Sequence, residues 1–341
     1  MRLHIVLSLA GLLGLSPQMK AAVSQTERLA NQGHAEAQYE LGLMCYHGKG
    51  LPQSFEKAWS WFFKAAKQNH AKAQYNLGVM CYEGEGVAKN LGQAAAWHQK
   101  AAQQGHANAQ YNLGVMYYEG EGVAKNLGQA AAWHQKAAQQ GHVAAQLALG
   151  LSYYNGKGLP QDFEQAQAWF RKAAAQGNTQ AQYALGVMYD RGQGLPQNPK
   201  EASAYFLHAA TQGHAKAQFN LGVMYERGEG LSRDFKKAAH WLKKAAQQGH
   251  VKAQHNLGAM YEAGKGLQQD ETLAYVWFEC AARQGFGPSI KARDRLWEFL
   301  DEGARQKAQQ LLKREAFSQA CRPPVDSKPQ AEEEKPKPTK S

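Results

Sequence analysis

From Ala35 to Phe286 the apolar residues fall into two alternating stripes that recur every 36 residues, seven times without a gap. Ala35, Ala71 and Ala107 mark position one. Ala at three, Leu at seven, Gly at eight and an aromatic or Cys at eleven then recur, as in Ala109, Leu113, Gly114 and Tyr117. Spacings of three and four place them on one helix face. The second stripe has Ala at 24, Trp or Tyr at 27, Phe, His or Leu at 28 and Ala at 31, as in Ala166, Trp169, Phe170 and Ala173. The pattern predicts two helices per unit, each of about 13 residues and about 20 Å.

The punctuation agrees with this reading. Gly48, Gly84, Gly120, Gly156, Gly192, Gly228 and Gly264 close the first helix as left-handed stops. A second Gly follows two residues later, and Pro52, Pro160 and Pro196 reinforce the turn. Ser54, Asn90, Asn126, Asp162, Asn198, Asp234 and Asp270 stand where a cap opens the second helix. Gly105, Gly141, Gly177, Gly213, Gly249 and Gly285 end it.

The copies span 35–70, 71–106, 107–142, 143–178, 179–214, 215–250 and 251–286; the second and third differ only at Lys72/Asn108 and Cys81/Tyr117. A fixed period of this length predicts an all-α solenoid in which each hairpin buries its face on its neighbours. Residues 25–34 read as the tail of a truncated preceding unit, since Asn31-Gln-Gly-His34 matches Gln103-Gln-Gly-His106. Residues 287–321 read as a capping helical pair, Pro288 to Leu300 and Ala304 to Ala320, with a turn at Gly303. The Pro-, Lys- and Glu-rich stretch 322–341 reads as a disordered tail.

Composition adds three points. Hydrophobic residues make up 44% of the chain, enough for a continuous core. The formal charge is +11, but Lys is scattered among Asp and Glu rather than gathered on one face, so the charge reads as a solvated surface and no nucleic-acid partner is expected. Met1 to Ser24 reads as a secretory signal: Arg2 and His4, an apolar run from Ile5 to Leu15 too short to cross a bilayer, then Ala22-Val23-Ser24 for cleavage after Ser24. A buried N-terminal helix is the competing reading. No transmembrane segment follows, and the expected location is periplasmic or secreted. Cys45 and Cys81 occupy equivalent positions about one helix spacing apart, too far for a disulfide. Cys280 with Cys321 is left open.

Histidine recurs at position 36, as His34, His70, His106, His142, His214 and His250, with Asn178 in one copy. Residues one repeat apart lie too far from one another to share a metal ion, so no metal is expected, and these side chains read as polar joints between helices. His98 and His134 stand where Phe62, Phe170 and Phe206 stand, and read as core substitutes. Gly-x-Gly recurs between helices in every copy and is a turn, not a dinucleotide site. No cofactor is expected.

The motif Ala-x-Ala-Gln-Tyr-Asn-Leu-Gly-Val-Met-Tyr-x-x-Gly-x-Gly, followed by Trp-x-x-Lys-Ala-Ala-Gln-Gln-Gly-His, resembles the Sel-one-like repeat, a relative of the tetratricopeptide repeat; 107–142 and 215–250 are near-consensus. The resemblance covers Ala35 to Phe286. It implies a right-handed α/α superhelix whose first helices line a concave groove. It also implies a non-enzymatic adaptor for protein or peptide partners, of a kind often exported for envelope functions or host interaction.

On that premise the helix face spaced at positions two, five, nine and twelve, with thirteen beside it, points into the groove. Position five carries Tyr39, Tyr75, Tyr111, Leu147, Tyr183, Phe219 and His255; position twelve carries Tyr46, Tyr82, Tyr118 and Tyr154, then Asp190, Glu226 and Glu262; position thirteen adds Arg191 and Arg227. The N-terminal half is expected to be aromatic and the C-terminal half charged. Tyr offers large contact area at small entropic cost. Packing between repeats is the alternative for position five, and a solvated charged face for twelve and thirteen. The enzymatic alternative is a periplasmic β-lactam-directed or peptidoglycan-acting protein, prompted by Ser54-Phe-Glu-Lys57. Neither Ser-Asp-Asn nor Lys-Thr-Gly accompanies it, and Ser54 holds a helix-cap position.

Overall fold

A computed structural model describes residues 16–321, which form helices and no strand. The apolar run Ile5–Leu15 and the tail 322–341 lie outside the described residues. The chain divides into two compact units, Met1–Gln176 and Gly177–Ser341.

Unit 1 contains α1 (Pro17–Asn31), α2 (Ala35–His47), α3 (Phe55–Lys67), α4 (Ala71–Glu83), α5 (Leu91–Gln103), α6 (Ala107–Glu119), α7 (Leu127–Gln139), α8 (Val143–Asn155) and α9 (Phe163–Ala175). Unit 2 contains α10 (Thr179–Arg191), α11 (Pro199–Thr211), α12 (Ala215–Arg227), α13 (Phe235–Gln247), α14 (Val251–Ala263), α15 (Glu271–Arg283), α16 (Gly287–Phe299), α17 (Glu302–Lys313) and α18 (Glu315–Ala320). Through the repeats, even-numbered helices are the first of each hairpin and odd-numbered helices the second. Within each unit a helix packs chiefly on the one before it and the one after it. The chain is thus an all-α repeat solenoid.

Side-chain caps start the second helices: Ser54 accepts from the Lys57 amide at 3.3 Å and Asp162 from that of Gln165 at 2.9 Å. The expected glycine stops are left-handed, from φ 63° at Gly264 to φ 82° at Gly120. The following glycine sets the spacing between repeats: a Cβ on Gly122 would stand 2.1 Å from the Leu91 carbonyl oxygen, where α5 of the preceding repeat begins. Backbone meets backbone there, and only hydrogen fits.

Ala, Leu and the position-28 ring fill the core; Phe62, Leu77, Ala94 and Phe170 are fully buried. Gly at position eight lets that ring lie flat on the first helix, for a Cβ on Gly42 would stand 2.5 Å from the Phe62 ring. His98 and His134 occupy the same place at 1% and 4% exposure, as expected of core substitutes. The apolar pattern gave no sign of a buried polar ladder. The Gln110 side chain donates to the Ala102 carbonyl at 3.1 Å and accepts from Gln140 at 2.8 Å. Gln74 with Gln104 and Gln218 with Gln248 repeat the Gln–Gln contact at 2.7 and 2.8 Å.

At the N-terminal end α1 stands in for a missing second helix: Val23 and Ala30 are buried, and Gln38 donates to the Ala30 carbonyl at 3.1 Å. The position after Ser24 falls inside α1.

The C-terminal cap differs from the expected helical pair. Asp301 caps α17 by accepting from the Ala304 amide at 2.7 Å, so Gly303 lies in a first helical turn and not in a loop. Arg314 is extended and breaks the second segment into α17 and α18. The break folds α18 back: Phe317 packs on Trp277 with ring centres 5.0 Å apart, and the Ala320 carbonyl accepts from Gln254 at 2.7 Å. Cys280 and Cys321 are joined in a disulfide, while Cys45 and Cys81 are free and buried.

Candidate functional site

Apart from His34, the position-36 histidines, read from sequence as polar joints between helices, bond the backbone of the helix that follows. His70 Nδ1 accepts the Ala73 amide at 3.1 Å, and the same bond joins His106 to Ala109 at 3.3 Å and His214 to Ala217 at 3.1 Å. His70, His106, His142, His214 and His250 each cap the next first helix, whereas His34 precedes α2 without a side-chain cap bond. Accepting at Nδ1 leaves the proton on Nε2, which faces Glu36 from His70 and Gln180 from His214, both at 2.9 Å. Burial, followed by the Lys72 charge, lowers the pKa of His106; burial, followed by Lys216, lowers that of His214.

These rings organise the position-five aromatics. Tyr39, Tyr75, Tyr111, Tyr183 and Phe219 are half-buried and stack on the histidine of their own repeat, with centre distances of 4.7, 4.8, 4.7, 4.5 and 4.6 Å. Tyr39 also tilts against Phe62 at 5.8 Å, and Tyr75 against His98 at 5.6 Å. His255 instead bonds Ser289 at 2.9 Å and meets Phe286 edge-on. One face of each of the five stacked rings is therefore committed to its own repeat.

Position twelve bridges successive repeats. Tyr46 donates to Glu85 at 2.5 Å and Tyr82 to Glu121 at 2.6 Å. Burial and then the Glu85 bond push the Tyr46 pKa up; at Tyr82 the Glu121 bond leads. Tyr118 and Tyr154 are half-buried at the same position, with Lys125 over Tyr118 at 5.8 Å and Phe163 edge-on to Tyr154 at 5.5 Å. The acidic partners at position fifteen lie in the turn, beyond the helix face that the periodicity marks out.

In unit 2 the first helices line an open cleft of about 640 Å³. Of the residues singled out from sequence, Asp190, Phe219, Glu226 and Arg227 line it. Tyr183, Arg191, His255 and Glu262 do not, and Glu262 pairs instead with Arg295. Phe219 and Val223 give the cleft an apolar floor; Asp190, Glu226 and Glu229 supply acid, and Arg227, Lys252 and Lys265 supply base. Val223 and Lys252 lie on the helix face spaced at positions two, five, nine and twelve; Glu229 and Lys265 come from turns and carry no helical signal. Asp190 has a raised pKa because of burial first and the Glu229 charge second, against the pull of Arg191 and Arg227.

Ser54 donates to Glu56 at 3.0 Å and caps α3, so its hydroxyl serves the helix. Among the described residues no group of three His, Cys, Asp or Glu is placed to hold a metal ion, and no helix is long and apolar enough to cross a membrane.

The Sel1 repeat model matches residues 35–70, 71–106, 107–142, 143–178, 179–214, 215–250 and 251–286. A Sel1 repeat protein from Oxalobacter formigenes is 32% identical, the match covering 72% of this chain and 96% of that one with a TM-score of 0.63. The c5321 protein, a protective antigen of uropathogenic Escherichia coli strains with an SLR fold, is 27% identical over 92% of this chain and 90% of its own, at a TM-score of 0.37. No curated protein matches the chain significantly.

Proposed function

Because the chain belongs to the Sel1 repeat family, a solenoid fold generally non-enzymatic and generally used to bind protein partners, we propose that it is an exported adaptor that takes a protein or peptide segment in the unit-2 cleft and serves an envelope function or interaction with a host. The observation that carries this reading is the cleft itself: an apolar floor at Phe219 and Val223 rimmed by charges of both signs. Such a surface has anchors for affinity and a rim for selectivity. Export is supported by the apolar N-terminal run and by the Cys280–Cys321 disulfide, a bond that persists in oxidising compartments.

The test uses the native protein and a paired cleft variant, Phe219→Ala with Glu226→Lys. Wild type isolated from its own cell envelope should carry a partner that the variant loses at unchanged helical content. A partner held equally by both would remove the cleft from the function. N-terminal sequencing should begin at Gln25; a retained Met1 would end the export reading.

A further inference from the structure

The seven copies act as internal controls for one another. In the first two steps between repeats, position twelve of one repeat bonds position fifteen of the next, Tyr46 to Glu85 and Tyr82 to Glu121. From the fifth repeat to the sixth the same two positions hold Asp190 and Glu229, and from the sixth to the seventh Glu226 and Lys265. All four line the unit-2 cleft. Of the steps between repeats, only the one from fifth to sixth sets acid opposite acid. A stabilising contact elsewhere in the molecule has become a repulsive one here, inside the cleft.

Glu229 acts on Asp190 more strongly than either neighbouring arginine taken singly. Arg227 approaches Glu229 at 3.6 Å, but both side chains are largely exposed and such rim pairs contribute little. Burial and Glu229 still outweigh Arg191 and Arg227 at Asp190. A cation brought by a partner would relieve that repulsion in a partly desolvated site, where opposite charges interact more strongly than in open water. Lys252 and Lys265, contributed by the seventh repeat, face the same cleft and would repel a uniformly basic segment.

Resting on the reading above that this cleft takes a peptide, we infer that its ligand is a peptide segment that seats an apolar side chain on Phe219 and Val223 and sets a single lysine or arginine against Asp190 and Glu229. The acid pair selects charge; the apolar floor supplies a charge-independent share of affinity.

Panning a random octapeptide display library on the full chain tests this. Enriched sequences should carry Lys or Arg within two residues of a large apolar residue, about tenfold above its frequency in the starting library. Asp190→Tyr puts at this step the residue that bonds Glu85 and Glu121 elsewhere. It should raise the melting temperature and remove the basic preference while apolar enrichment stays; Glu229→Gln should weaken the preference with a smaller stability gain, since it relieves the repulsion without adding a bond. Enrichment without a basic residue, or a basic preference that survives Asp190→Tyr, would overturn the inference and leave the peptide cleft standing. No enrichment of any kind would overturn the cleft reading itself.

Discussion

His98 and His134 put a titratable ring where the first, fourth, fifth and seventh repeats put phenylalanine. Each ring leaves one nitrogen without a hydrogen-bond partner, Nδ1 of His98 and Nε2 of His134. Burial drives both pKa values from the ordinary 6.5 to about 4, with the neighbouring His106 and His142 charges adding to it. Between those values the unfolded chain takes up a proton that the folded chain refuses. Stability therefore rises with pH through this window, and it is lost as pH falls from 6.5 towards 4. At about 1.4 kcal/mol for each pH unit, the loss is about 3 kcal/mol per ring.

Replacing both residues, His98→Phe with His134→Phe, should remove that loss and also gain stability near neutrality. An unpaired buried nitrogen costs about 1–3 kcal/mol, and Phe62 shows that the ring fits against Gly42 as His98 fits against Gly78. The assay is urea unfolding followed by far-ultraviolet circular dichroism at about pH 7.5 and about pH 4.5, with amide exchange in α5 and α7 as the local readout. The variant should be more stable at the higher pH and should lose less on acidification. Its profile will not be flat, because His250, also lowered to about 4, and the lowered His106 and His142 remain. Parallel acid losses in wild type and variant would refute the reasoning, as would a variant weaker than wild type at neutrality.

Three further outcomes are expected. Gln110→Leu removes the Gln140 amide's acceptor and one of two bonds to the Ala102 carbonyl, which keeps that from the Gly105 amide, and should cost about 1–2 kcal/mol in urea unfolding; a neutral result would mean that the ladder contributes nothing. Cys321→Ser removes a cross-link between residues 41 apart and should destabilise the C-terminal cap by about 4 kcal/mol, with reduced wild type behaving alike and Trp277 fluorescence reporting release of α18. Tyr75→Ala with Tyr111→Ala removes rings stacked on His106 and His142, so the stability should fall by about 2 kcal/mol at each site and the melting temperature with it; an unchanged melting temperature would show those rings to be contact surface alone.

Much of this could be read from the chain because a repeat states its rules seven times. The position-14 glycines and the Ser, Asn and Asp caps at the second helices depend on a few neighbouring residues, and local chemistry is what sequence encodes directly. The C-terminal cap occurs once, and its break at Arg314 depends on Trp277 and Cys280, which lie far back along the chain. The Gln ladder stayed hidden for a related reason: a glutamine next to an apolar stripe looks solvent-facing until a second glutamine, one hairpin away, is brought against it.

The site divides along the same line. Sequence determined the face on which Asp190, Phe219, Glu226 and Arg227 lie, since helical period alone fixes direction. Only the tertiary structure decided that the five stacked position-five rings spend one face on a cap histidine of their own repeat. It also brought Glu229 and Lys265 from the turns to the cleft, and set Asp190 and Glu229 in one wall where a tyrosine and a glutamate meet in other repeats. Helix periodicity is a property of a single segment, whereas which charge meets which depends on how two repeats stack.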